Sequence, residues 1–316
     1  MIFKYKFKLM ALLIVSISSM VSAQQPSRVM PLADQSLLVS ITQVNADLVA
    51  VGERGYVLKS SDLGQTWRQI ENVPVDILLT KVVSVGRSLW AVGHDATIIH
   101  SADGGETWQL QFYDPDRQVP FLSTYFIDAD NGFVIGAYGT ILTTYDGGQN
   151  WQEDVIHDEL DYHLNDIIMA DDGNLYIAGE AGYGFLSTDQ GETWDAIELP
   201  YPGSMFGVLS LSDEVIMFGL RGHVLSSRDQ GMTWDVIAND NISSLFGGDQ
   251  LNSDSAILVG ANGARIIYKN HKLTTLSGSS ALEIGDDYAD VMVIDSGQKI
   301  ILLGEEGTDL QPLVKP

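Results

Sequence analysis

One eight-residue phrase occurs five times in this chain, at residues 60–67, 101–108, 144–151, 187–194 and 227–234. Each copy reads S/T-x-D-x-G-x-T/N-W, and the closing tryptophans stand 41, 43, 43 and 40 residues apart. A fixed period in this range means that one supersecondary unit, unable to bury its apolar face alone, stacks against copies of itself. A second phrase, an apolar run ending in G-x-x-G, precedes every copy and continues after the first has faded. It lies at Gly52/Gly55, Gly136/Gly139, Gly179/Gly182, Gly219/Gly222, Gly260/Gly263 and Gly304/Gly307, with Gly93-His94-Asp95-Ala96 as the variant. Seven units with a mean spacing of 42 residues account for residues 24–316, leaving nothing over for a second domain.

Each unit carries four strand signals. In the third, residues 121–128 alternate loosely, Asp130-Asn131-Gly132 is a turn, and 133–136 is a short apolar strand. A G-x-x-G turn, a strand at 140–144, the eight-residue phrase and a strand at 151–155 follow. Short strands punctuated by Gly, Asn and Asp predict antiparallel β-structure, and four per unit repeated radially predict an all-β, seven-bladed propeller. The WD dipeptides at Trp194-Asp195 and Trp234-Asp235 follow the phrase instead of ending a third strand, so they carry no WD40 signal.

The phrase itself is mechanical. Its glycine permits the positive φ that a tight turn needs, its aspartate accepts the turn's own N–H groups, and its tryptophan is large enough to be buried between blades. The structural residues are therefore Asp62 and Trp67, Asp103 and Trp108, Asp146 and Trp151, Asp189 and Trp194, and Asp229 and Trp234. Units six and seven lack the phrase: Lys269-Asn270-His271-Lys272 is a worn turn, and only nine residues follow Gly307. An N-terminal strand at residues 27–31 is expected to supply the missing fourth strand by pairing with 308–314, closing the ring and removing an open edge.

Residues 1–23 read as a signal peptide. Lys4, Lys6 and Lys8 precede an apolar run at 9–17, and Val21-Ser22-Ala23 offers a cleavage site after Ala23, which predicts a periplasmic or secreted protein. The formal charge of −25 becomes −28 without those lysines, which argues against nucleic acid and anionic membrane surfaces as partners. There is no cysteine and hence no disulfide, so the core alone must hold the fold.

The blade phrase G-x-x-G-x-I/V-L-x-S/T-x-D-G-G-x-T-W, seen at residues 93–108 and 136–151, resembles the Asp-box (BNR) propellers. Among them the chain is most similar to the photosystem II assembly and stability factor family of exported seven-bladed propellers. That resemblance implies a non-enzymatic scaffold that binds a membrane-protein partner, without a cofactor. In photosynthetic members the contact is a basic patch; here 42 acidic residues outnumber 17 basic ones, so a partner with a basic docking surface is expected, and a monomer.

Propeller geometry places the G-x-x-G turns and the loops between blades on one face and the Asp boxes on the other. The first face should present Glu53, Arg54, His94, Asp95, Tyr138, Glu180, Arg221, Asn262, Glu305 and Glu306, with Tyr113, Tyr162, Tyr201 and Phe206 as aromatic anchors. His157, Glu159, Asp161 and His163 alternate, so an extended chain would aim all four one way as a weak metal candidate beside the expectation of none. The enzymatic alternative is a sialidase-like glycosidase or a carbohydrate-binding propeller, for which Arg54, Arg221 and Arg265 would have to converge. The arginine-isoleucine-proline entry motif of such enzymes is absent, since Arg28-Val29-Met30-Pro31 is one residue too long.

Overall fold

A computed structural model describes residues 25–157, 159–276 and 286–313, so the predicted signal peptide lies outside the described residues. Seven antiparallel sheets surround a central axis, six with four strands and the last with three among the described residues. The innermost strands are Leu38–Val44, Leu79–Val85, Phe121–Phe126, Leu164–Met169, Met205–Leu211, Leu245–Asn252 and Tyr288–Ile294. Each touches the next, and Tyr288–Ile294 returns to Leu38–Val44, which closes the ring. The third blade follows the sequence reading closely, with strands Phe121–Phe126, Gly132–Gly136, Thr140–Thr144 and Gln152–Val155. Second strands such as Asp47–Gly52, Ser88–Gly93 and Leu175–Gly179 are almost wholly buried, because each is covered on both faces by neighbouring blades.

The Asp boxes are built as the phrase requires, with one addition. Ser60 Oγ donates to Asp62 Oδ1 at 2.8 Å and itself accepts the Gly64 N–H at 2.9 Å. Asp62 accepts the Thr66 N–H at 2.9 Å and the Thr66 hydroxyl at 2.6 Å. The same pattern recurs around Asp103, Asp146, Asp189 and Asp229. The leading Ser or Thr thus satisfies the glycine N–H of the turn, a role that its recurrence at position one of all five copies had signalled. Each tryptophan lies against the preceding blade: Trp108 joins a cluster with Val44, Val49 and Val57, and Trp194 meets Phe133 edge-on at 6.2 Å. Where the sixth blade lacks a box, Asn270 and His271 both take positive φ and make a two-residue hairpin between Lys269 and Lys272.

The expected strand exchange at the seam is not formed. Ser27 donates its N–H to Val73 O at 2.9 Å and its hydroxyl to Arg54 O at 2.8 Å, and the Met30 N–H goes to Gln69 Oε1 at 2.8 Å. Residues 27–31 therefore lie over the outer strand of the first blade, Arg68–Gln69, and not beside Gly307–Pro312. Pro26 and Pro31 bracket the segment and have no N–H to give to a ladder. Val314, at the end of the expected pairing, lies outside the described residues. An apolar cluster closes the seam: Leu38, Ile41, Leu48, Ala50 and Leu58 of the first blade pack on Ile294, Ile301 and Leu303 of the seventh.

Every innermost strand slips register near its start, between Leu38/Ser40, Leu79/Lys81, Leu164/Asp166, Met205/Gly207, Leu245/Gly247 and Tyr288/Asp290, and likewise opposite Ile135/Gly136 in the third blade. A bulge of this kind re-aims one side chain per strand and leaves inner-edge N–H groups without ladder partners. Side chains of neighbouring blades take those donors. Ser40 Oγ accepts the Val82 N–H, Asp166 the Val208 N–H, Asp249 the Val293 N–H and Asp290 the Ile41 N–H, the last across the seam.

Candidate binding face

The G-x-x-G turns and inter-blade loops do share one face, because each turn hydrogen-bonds the loop beside it. Gly139 N–H donates to Tyr162 O at 2.9 Å, Gly182 N–H to Gly203 O at 3.2 Å and Gly263 N–H to Asp286 O at 2.8 Å. The boxes join the first hairpins of the blades on the opposite rim, as in Gly147 N–H to Asp130 O at 2.8 Å. Six of the seven turns put a non-glycine residue in the left-handed region at their crest: Arg54, Asp95, Tyr138, Ala181, Arg221 and Asn262, with φ between 53° and 57°. All six are exposed, so the strained crest aims a side chain into solvent at six points around the ring.

The remaining predicted residues divide. Glu53 is half-buried and 3.9 Å from Arg54, while His94, Glu305 and Glu306 are exposed. Asn262 gives its N–H to Asp287 Oδ1 at 2.7 Å. Tyr113 ends the outer strand Gln109–Tyr113 and is half-buried. Glu180 accepts the His163 N–H at 2.9 Å and lies 3.8 Å from its ring.

Aromatic side chains gather on this face from the third blade to the sixth. Tyr138, 63% exposed, meets His163 edge-on at 5.0 Å; Tyr162 stacks on Tyr183 at 5.2 Å; Tyr201 stacks on His223 at 3.5 Å; and Phe206 leans on Phe246 at 5.6 Å. Tyr183, His223 and Phe246 were missed in the sequence. Tyr183 and His223 directly follow the second glycine of their turns, which is the signal that could have found them.

Inside this belt the axis holds a cavity of about 180 Å³. The seven bulged residues Val39, Thr80, Leu122, Asn165, Phe206, Phe246 and Ala289 ring it, with Lys81, Asp166 and Asp290 one residue further on. Lys81 Nζ donates to Asp166 Oδ1 at 2.9 Å, as does Ser123 Oγ at 2.8 Å. Burial pushes the Asp290 carboxyl up to about 7, against the pull of Lys81, and burial likewise raises Asp249 to about 6.

Two candidate constellations do not assemble. The side chains from His157 to His163 do not point one way: His157 Nδ1 accepts the Glu159 N–H at 3.1 Å, and His163 turns to Glu180 and Tyr138. Among the described residues no three His, Asp or Glu side chains are placed to hold a metal, so His157, Glu159, Asp161 and His163 are not a site. The three arginines do not converge either. Arg54 pairs with Glu53, Arg221 crowns a turn four blades away, and Arg265 Nη1 reaches Gln311 Oε1 at 2.7 Å, so none lines the axial cavity.

Residues 111–275 match the family model described as "Photosynthesis system II assembly factor YCF48", just over half of the chain. The chain belongs to the YCF48 family. The matched YCF48 region spans the third to sixth blades, the same four that carry the aromatic belt. Among solved structures, "YCF48 bound to D1 peptide" is similar at 16% identity and a TM-score of 0.72, covering 92% of this chain and 100% of that one. YCF48 from Cyanidioschyzon merolae is similar at 15% identity and a TM-score of 0.71, covering 89% and 96%. The C-terminal WD40 domain of Sif2 is similar at 11% identity and a TM-score of 0.62, covering 93% and 99%. Among curated protein sequences none matches.

Proposed function

We propose that this YCF48-family propeller is a non-enzymatic assembly factor that binds a segment of a membrane-associated protein on its G-x-x-G face, on the exported side of a membrane. The observation that carries this reading is the aromatic belt from Tyr138 to Phe246, set among charged turn crests on one face of a closed ring. Stacked aromatics with polar tips and few rotamers are the residues on which protein interfaces concentrate their binding energy. A solved family relative holds a D1 peptide, which supports a peptide segment as the kind of ligand. With 42 acidic and 17 basic residues, the chain is suited to a partner with a basic docking surface, whose association slows as salt screens the attraction. The leader-like residues 1–23 support a periplasmic or secreted location, and the protein acts as a monomer.

The test is site-specific photocrosslinking in cells, with the crosslinker at Tyr138 or Tyr201 on this face and at Gln65 or Gln149 on the Asp-box rim. Capture of one membrane-associated protein from the first pair and not the second is the expected result. Crosslinks confined to the box rim would overturn the placement, and hydrolysis of a sialoside that is lost in Arg221→Ala would overturn the non-enzymatic reading.

A further inference from the structure

The register slip of the innermost strands brings one residue per blade to a common level on the axis: Ser40, Lys81, Ser123, Asp166, Gly207, Gly247 and Asp290. Two neighbouring blades supply glycine there, so the ring of side chains has a gap beside Asp290. A Cβ on Gly247 would stand 3.0 Å from Asp290 Oδ1 and only 2.6 Å from Ala289 O and Asp290 Cα, so glycine alone lets the two blades approach this closely and puts no side chain over that carboxylate. Above the gap, from the same two blades, stand Phe206 and Phe246, the latter 39% exposed at the mouth.

The charges around the cavity do not balance. Lys81 is taken by Asp166 at 2.9 Å, and among the described residues no cation lies within ion-pair distance of Asp290. Each Asp290 oxygen accepts one backbone N–H, Oδ1 from Val291 at 2.9 Å and Oδ2 from Ile41 at 3.2 Å. A carboxylate oxygen has room for two donors, so one acceptor position remains on each, side by side. Two parallel acceptors suit a guanidinium fork, and a phenyl face beside them suits the same planar cation. At about 180 Å³ the cavity is smaller than the roughly 300–1,000 Å³ of pockets for whole small molecules, and it fits one side-chain end.

We propose that the axial cavity is a receptor for an arginine side chain of the protein partner, whose guanidinium slides along Phe206 and Phe246 and pairs with Asp290. The assignment rests on the G-x-x-G face being the docking face, and it adds the residue chemistry that the partner must present. Because the buried Asp290 carboxyl holds its proton up to about 7, binding the cation releases that proton, and affinity rises with pH across neutrality. The charges that bias Asp290 are Lys81, which favours its ionised form, and Asp249, which opposes it; Asp166 is already paired with Lys81.

The experiment titrates the purified protein with acetyl-Gly-Arg-Gly-amide and with its uncharged citrulline counterpart by calorimetry, and so needs no partner. The expected result is saturable one-to-one binding with a preference for arginine of about tenfold or more. That preference should grow from pH 6 to pH 8, vanish in Asp290→Asn and shrink severalfold in Phe246→Leu, with circular dichroism confirming that both variants are folded. Equal binding of the two peptides, a preference that survives Asp290→Asn, or no saturation by about 20 mM, well above ordinary millimolar contacts, would overturn it. A failed titration with crosslinks still on the G-x-x-G face would remove the cavity assignment alone. A successful one with crosslinks confined to the box rim would remove the docking face and leave an arginine-binding cavity.

Discussion

Replacing Trp108 by alanine tests whether the Asp boxes fasten one blade to the next. This indole is 6% exposed, packs into the cluster formed by the first two blades, and donates its N–H to Gly105 O at 3.2 Å. A buried tryptophan covers about 150–250 Å², worth about 4–6 kcal/mol at about 25 cal/mol per Å². Partial collapse of the surroundings brings the expected loss to about 3–5 kcal/mol. With a urea slope of about 3 kcal/mol per molar, the unfolding midpoint should fall by about 1–1.7 M, read by far-UV circular dichroism. Trp194 is only half-buried, so Trp194→Ala should shift the midpoint less. Met232→Ala, at a position 77% exposed within the same kind of turn, should stay within about 0.5 kcal/mol of wild type. A Trp108→Ala midpoint indistinguishable from that of Met232→Ala would refute the fastening argument.

Three further outcomes follow from the same geometry. Ser101→Ala removes the acceptor of the Gly105 N–H and the donor to Asp103, and should cost about 1–2 kcal/mol by urea denaturation with partner binding unchanged. Stability should peak in mildly acidic buffer. The box donors lower Asp62 to about 2, so its contribution is lost as pH falls from 4 towards 2, whereas burial raises Asp249 to about 6 and Asp290 to about 7, so theirs is lost as pH rises from 4 through 7. A melting temperature higher at pH 8 than at pH 5, or an alkaline decline that is just as steep in Asp290→Asn, would contradict this. Tyr201→Ala breaks the stack on His223 and should weaken partner binding by about tenfold or more under conditions where circular dichroism shows the variant folded; an unchanged affinity would exclude that ring from the interface.

The fold was legible because the box and the G-x-x-G turn are local: each needs only its own few residues, so Asp62 or Gly139 announces itself without knowledge of distant contacts. Blade limits in the third unit were readable within a residue or two for the same reason. What the sequence concealed depends on contacts between blades. Residues 27–31 looked like a strand in search of a partner, but Pro26 and Pro31 deny a ladder and Gln69 offers side-chain bonds in its place. The string from His157 to His163 suggested convergence only if the chain were straight, whereas His157 accepts the Glu159 N–H and His163 turns to Glu180. The axial group was hidden by its bulges. A slipped register puts Asp166 and Asp290 where simple alternation would not, and their partners lie in neighbouring blades, about 42 or about 249 residues away.

The seam has an evolutionary consequence. Among the described residues every sheet is one unbroken run of chain, and the first and last blades meet through side chains without exchanging a strand. Gene segments and blades therefore share the same boundaries. A duplication or deletion of about 42 codons would add or remove a whole sheet and leave no half-built one behind, so the number of blades could change in single genetic steps. Only the axial ring would record the event, because each new member changes both the width of the cavity and the list of charges around it.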